Sequence, residues 1–144
     1  MVDDCFICRK HQGQIEIPGG LLFEDEQVIV SRPANVDYPA YLMLDTRRHV
    51  WELADLTTVE SEAVGRTVSR MARALRDVCG VVHVYSFFLA DGVPHAHFHV
   101  VGRYPATPPE FWGRRVTEWP GAPRATLEEL EDLADRLRHA LAHP

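Results

Sequence analysis

The sequence predicts an α+β domain built around an antiparallel sheet. Short β-branched and aromatic runs lie on both sides of one long amphipathic segment. Two Thr-x-x-Glu pairs, Thr57 with Glu60 and Thr126 with Glu129, open helical patterns as capping boxes. Asp91-Gly92, a tight-turn dipeptide, separates two strand-like runs. Strands, helix, strands, helix is the order of an α+β fold with an antiparallel sheet. The 144 residues, 46% hydrophobic and 25% charged, suffice for one domain with a real core.

In chain order, residues 1–20 carry Cys5 and Cys8 and then a polar, glycine-containing stretch ending Pro18-Gly19-Gly20. Leu21 to Phe23 and Gln27 to Ser31 read as short strands around Glu24-Asp25-Glu26. After a loop from Arg32 to Pro39, Ala40 to Asp45 reads as a third strand. Val64, Val68, Met71, Leu75 and Val78 recur at helical steps, forming a core-facing stripe that Gly80 ends. Val81 to Ala90 reads as a strand, and Asp91-Gly92 turns it into an antiparallel partner inside the sheet. Residues 104–125, rich in proline and containing Trp112 and Trp119, read as an irregular surface segment. A terminal helix follows, from Thr126 to about His143.

Charge and composition exclude some roles. Net charge is −6, and the basic doublets Arg47-Arg48 and Arg114-Arg115 form no stripe, which argues against a polymeric nucleic-acid partner. A small anionic ligand is compatible with this balance, because one arginine or a few backbone amides can hold a phosphate. No apolar run approaches the ~20 residues that span a bilayer, so no membrane partner is expected. The start, Met1-Val2-Asp3-Asp4, has no signal-peptide character, and a cytoplasmic location is expected. There, Cys-x-x-Cys points to metal or redox chemistry rather than a structural disulfide. A thioredoxin-like role is the weaker of these, because no strand-to-helix context surrounds Cys5 and Cys8. Cys79 reads as a small buried side chain.

The most informative run is His95-Ala96-His97-Phe98-His99-Val100-Val101. Period-two alternation places the three histidines on one strand face. Three imidazoles in a row do not fill a core, and imidazole titrates near neutral pH. The run fits His-φ-His-φ-His-φ-φ, with φ apolar, and resembles the histidine triad (HIT) superfamily of nucleotide hydrolases and transferases. Cys5-Phe6-Ile7-Cys8, Phe23-Glu24-Asp25 and Arg47-Arg48-His49 stand in the family order, and the resemblance covers roughly residues 5–104.

The resemblance implies a sheet of about five strands with two main helices, and a homodimer. It divides the chain into a HIT-like domain with an N-terminal zinc-binding segment, residues 1–104, and a C-terminal extension, 105–144, packed on the same domain. It implies that His97 attacks the α-phosphorus of a nucleotide substrate and that His99 contacts phosphate and handles protons. It implies that Cys5, Cys8, His49 and His95 hold a structural zinc, with no organic cofactor. Candidate substrates are dinucleoside polyphosphates, nucleoside phosphoramidates and adenylylated small molecules.

Two departures bear on substrate binding. No acidic residue lies in Val30-Ser31-Arg32-Pro33-Ala34-Asn35, where many relatives hold ribose hydroxyls. Gly92 stands where relatives often place a serine three residues before the first histidine. Backbone amides around Gly92 and Val93, the hydroxyl of Ser86 and the guanidinium of Arg103 are the remaining phosphate-binding candidates. Trp112 and Trp119 are candidates for stacking or for anchoring the tail. Two alternatives stand beside the hydrolase: a zinc-stabilised nucleotide-binding protein without turnover, and a zinc hydrolase in which His49, His95 and His97 share an ion.

Overall fold

Strand β3, Tyr41–Thr46, shows how the sheet is layered. Leu42 and Leu44 are fully buried toward the helices, while Tyr41, Met43 and Asp45 alternate onto the opposite face. The computed structural model describes residues 2–144; Met1, at the head of the acidic start, lies outside the described residues. The sheet also contains β1 (Leu21–Glu24), β2 (Val28–Ser31), β4 (His83–Phe88) and β5 (His97–Arg103). Its order is β1-β2-β3-β5-β4 and every pairing is antiparallel. The α+β reading and the five-stranded sheet are therefore borne out, with β5 in the interior.

Among the described residues, three α-helices complete the fold: α1 (Phe6–His11), α2 (Thr58–Cys79) and α3 (Leu127–Ala142). Both predicted capping boxes form, with Thr57 and Glu60 opening α2 and Thr126 and Glu129 opening α3. Gly80 ends α2 with φ 70°, a left-handed conformation that suits glycine. Helix α2 covers β2 to β5, and α3 packs on α2 and β1. Gly19 lets α3 approach, since a Cβ there would lie 2.2 Å from the Ala134 side chain. Leu133, Ala134, Leu137 and Leu141 of α3 share one core with Leu42, Leu44, Met71 and Leu75. Val116 and Ala122 join the same core, so the proline-rich segment is pinned rather than loose.

The structure differs from the sequence reading in three places. Helix α1, which the polar composition of residues 1–20 concealed, begins directly after Cys5, whose sulfur accepts from the Cys8 amide. Asp91-Gly92 is not a two-residue hairpin turn: the link from β4 to β5 runs from 89 to 96, and Ala90 takes the positive φ of 58°. Strand β5 starts at His97, so His95 lies before the strand. There the His95 amide bonds the Val93 carbonyl and the Ala96 amide bonds the Val50 carbonyl.

Candidate functional site

Residues far apart in the chain bring two sulfurs and two imidazoles together. Cys5 and Cys8 flank the first turn of α1, His49 follows β3, and His95 precedes β5. Their ligand atoms all lie within 4.8 Å of one another. His95 Nδ1 is 3.5 Å from Cys5 Sγ and 3.6 Å from Cys8 Sγ, and His49 Nδ1 is 3.4 Å from Cys8 Sγ. A tetrahedral ion with bonds of about 2.3 Å to sulfur and 2.0–2.1 Å to nitrogen separates neighbouring ligand atoms by about 3.6 Å. The donor set therefore fits a closed Cys2His2 zinc site. His95 is wholly buried, and its Nε2 donates to the Thr46 carbonyl at 2.7 Å, which turns Nδ1 toward the sulfurs. Burial holds its pKa down to about 4, so the ring is neutral and able to ligate. His97 is outside the cluster, and a site shared by His49, His95 and His97 is not what these residues build.

His97 and His99 are the two triad histidines that alternate on β5, with ring centroids 5.2 Å apart. His97 Nδ1 donates to the His95 carbonyl at 2.6 Å, leaving Nε2 without a partner among the described residues. His99 Nδ1 is bonded to the Tyr41 hydroxyl at 2.7 Å, and its ring stacks on Phe87 at 4.7 Å. Burial first, then the neighbouring His97 and Arg114, push the His99 pKa down to about 4. Burial raises the Tyr41 pKa, so the phenol keeps its proton.

A cavity of about 280 Å³ opens beside these rings. Its apolar wall includes Phe6 and Ile7 of α1, Pro33 and Val36 of the β2–β3 loop, and Met43. Lys10 and Asp45 lie in its floor, a cluster that sequence reading missed. Lys10 Nζ is 2.5 Å from Asp45 Oδ2 and 3.2 Å from Ser31 Oγ, and His11 Nε2 is 3.1 Å from the same carboxylate oxygen. Burial alone would raise the Asp45 pKa, but Lys10 and His11 prevail and hold it below the ordinary carboxylate range. The only advance signal was charge inside an apolar context, since Asp45 ends the strand pattern Tyr-Leu-Met-Leu.

The other predicted residues separate. Val93 lines the cavity, whereas Gly92 lines a second pocket beside Cys5 and His49. Ser86 pairs with Val100, which places it on the sheet face opposite His97 and His99. Arg103 is engaged elsewhere: it donates to the Tyr85 hydroxyl at 2.8 Å and stacks over Trp112 at 3.8 Å. Arg32, inside the segment lacking an acidic residue, is fully buried and donates to the carbonyls of Pro39 and Tyr38. Trp112 donates to the Thr107 carbonyl and is half exposed, while Trp119 packs against the core. Both act here as anchors of the proline-rich segment.

Comparison with known proteins agrees with this arrangement. A HIT-like protein involved in cell-cycle regulation from Bartonella henselae superposes with a TM-score of 0.74 at 17% identity, covering 97% of this chain and 98% of that one. A zinc-bound histidine triad family protein from Mycobacterium smegmatis gives 0.73 at 20% identity, covering 96% and 94%. A hypothetical histidine triad nucleotide-binding protein from Sulfolobus tokodaii gives 0.75 at 12% identity, covering 96% and 92%. These likenesses concern the fold. No curated protein sequence matches the chain. The HIT domain family model matches residues 14–106, which include the histidine run and His49 but not Cys5 or Cys8. The chain belongs to the HIT domain family.

Proposed function

We propose that this chain is a nucleotide phosphohydrolase or nucleotidyl transferase acting at an α-phosphorus through His97. The observation that carries the reading is the 2.6 Å bond from His97 Nδ1 to the His95 carbonyl. It fixes the tautomer and leaves Nε2 as a lone-pair nucleophile beside the cavity. The cavity takes the nucleoside. His97 Nε2 forms a bond to phosphorus, and the bond from phosphorus to the leaving group breaks, its electron pair departing with that group. Water, or another acceptor, then breaks the phosphorus–nitrogen bond, releasing the nucleoside monophosphate or its ester and restoring the ring. In the tautomer in which the Tyr41 hydroxyl donates to His99 Nδ1, His99 Nε2 carries the hydrogen and serves as a donor to phosphate.

Cys5, Cys8, His49 and His95 would hold zinc, which supplies a structural cross-link between the α1 segment and the approach to β5. The reading extends to a cytoplasmic homodimer, for which the open edge of β4 is a suitable pairing surface. A panel of dinucleoside polyphosphates, phosphoramidates and adenylylated compounds, with mass-spectrometric detection of a nucleotidyl adduct, tests the chemistry. A nucleotidyl group on His97 is expected. Turnover with the adduct elsewhere, or undiminished turnover by His97→Ala, overturns the reading.

A further inference from the structure

We infer that Arg114, contributed by the C-terminal segment, is a leaving-group-binding residue that favours substrates whose leaving group is a phosphate chain. The inference rests on the proposed attack by His97 and adds a choice among the substrate classes that reading admits.

Sheet order gives the site two sides. The cavity for the nucleoside lies over β3 and the loop that precedes it, lined by Met43, Asp45 and residues 32–36. Strand β5 carries the reacting histidines, and β4 lies beyond it. A substrate with its nucleoside over β3 and its α-phosphorus at His97 extends its remaining group across β5 toward β4. The first β4 side chain met there is Phe87, stacked on His99. The Arg114 guanidinium stands 6.0 Å from the centre of the Phe87 ring. Its positive charge acts on both His99 and Tyr41, in keeping with that position beside Phe87.

Two features make Arg114 more than a surface charge. It is uncommitted: no hydrogen bond or ion pair engages it among the described residues, whereas its neighbour Arg115 is bonded to Glu118 at 3.0 Å. It is also carried by a pinned backbone. Trp112 is held by Arg103 and by the Thr107 carbonyl, and Val116 is buried in the core. These anchors flank the turn Gly113–Arg115 on both sides.

The chemistry then selects. When the phosphorus–oxygen bond breaks, the departing oxygen takes the electron pair and negative charge grows on the phosphate chain. A fixed guanidinium offers paired N–H donors and a permanent positive charge to such a group. It cannot protonate an amine, so a phosphoramidate, whose departing nitrogen needs a proton, gains nothing comparable.

The test compares kcat/KM for a dinucleoside tetraphosphate and a nucleoside phosphoramidate in the wild type, Arg114→Ala, Arg114→Lys and Arg115→Ala. Arg114→Ala is expected to shift the ratio at least tenfold against the tetraphosphate. Arg114→Lys should recover part of that shift, and Arg115→Ala should leave the ratio within twofold. A ratio unmoved by Arg114→Ala overturns the inference. Calorimetric binding of inorganic tripolyphosphate gives a second readout independent of turnover. Arg114→Ala should weaken it at least tenfold, and equal affinity overturns the inference. If the wild type turns over neither substrate while tripolyphosphate binding still depends on Arg114, the catalytic reading fails and the binding assignment stands.

Discussion

The backbone carbonyl of His95 accepts the Nδ1 hydrogen of His97 at 2.6 Å, while the His95 ring faces the sulfurs of Cys5 and Cys8. One residue therefore serves two sites, its side chain in the candidate metal cluster and its main chain behind the His97 ring. Whatever fixes the His95 ring also fixes the orientation of His97.

His97→Ala should abolish turnover, with a loss of at least about a thousandfold, because the attacking nitrogen is gone. The fold should survive, as His97 lines the cavity and not the core beneath α2 and α3. Single-turnover assays with circular dichroism of the same sample check both points. Wild-type-like turnover would remove His97 from the mechanism.

Metal analysis of protein prepared without chelators should find one zinc per chain, and Cys8→Ser should fall well below that. A metal site formed only in the folded state contributes its binding energy to stability. Loss of the ion should therefore lower Tm by roughly 10 °C or more for a chain of this size. It should also lower kcat, through the His95 carbonyl. Zinc content well under one in the wild type would dismiss the zinc assignment.

Asp45 is wholly buried and bonded to Lys10 and His11. Removing one member of a buried pair strands the other charge at a cost of about 3–5 kcal/mol. Lys10→Met should thus be strongly destabilising in urea unfolding. The double change Lys10→Met with Asp45→Leu should recover much of the loss, because no charge is then left unpaired. Additive losses in the double variant would show that the pair itself is not the cause.

Glu60 links the α2 cap to Arg48, which donates to both carboxylate oxygens at 2.8 Å. The bond from Arg48, ahead of the bond from the Thr57 amide, lowers the Glu60 pKa from 4.5 to about 2. The folded value lies below the unfolded one, so this contribution is complete above pH 4.5 and is lost as pH falls toward 2. Tm should therefore decline more steeply across that window in the wild type than in Glu60→Gln. Parallel declines would contradict the assignment.

His99 has a separate pH window. Its folded pKa, held to about 4 chiefly by burial, lies below the ordinary 6.5. The unfolded chain gains a proton first as pH falls, so stability should decrease between pH 6.5 and 4. His99→Gln should flatten that part of a urea-midpoint profile, and an unchanged slope would count against a neutral, buried His99.

The sequence by itself determined the fold class, most of the elements and the family. Both capping boxes and the α2 stripe are local patterns, written in residues three or four apart, and each forms as read. The family was legible for the same reason, since its histidine run is contiguous. Tertiary structure decided what depends on distant partners. Alternation placed His95 on the strand face with His97 and His99, but His95 precedes β5 and turns to two cysteines some ninety positions away. Helix α1 is only six residues long, too short for a periodic signal. Ser86 was a sensible hydroxyl by sequence distance, yet strand register places it on the other face. Lys10 with Asp45, and Arg114 beside Phe87, meet only because the sheet order brings α1 and the C-terminal turn to opposite sides of β5. Local pattern specifies which chemical groups the chain carries; packing specifies which of them meet.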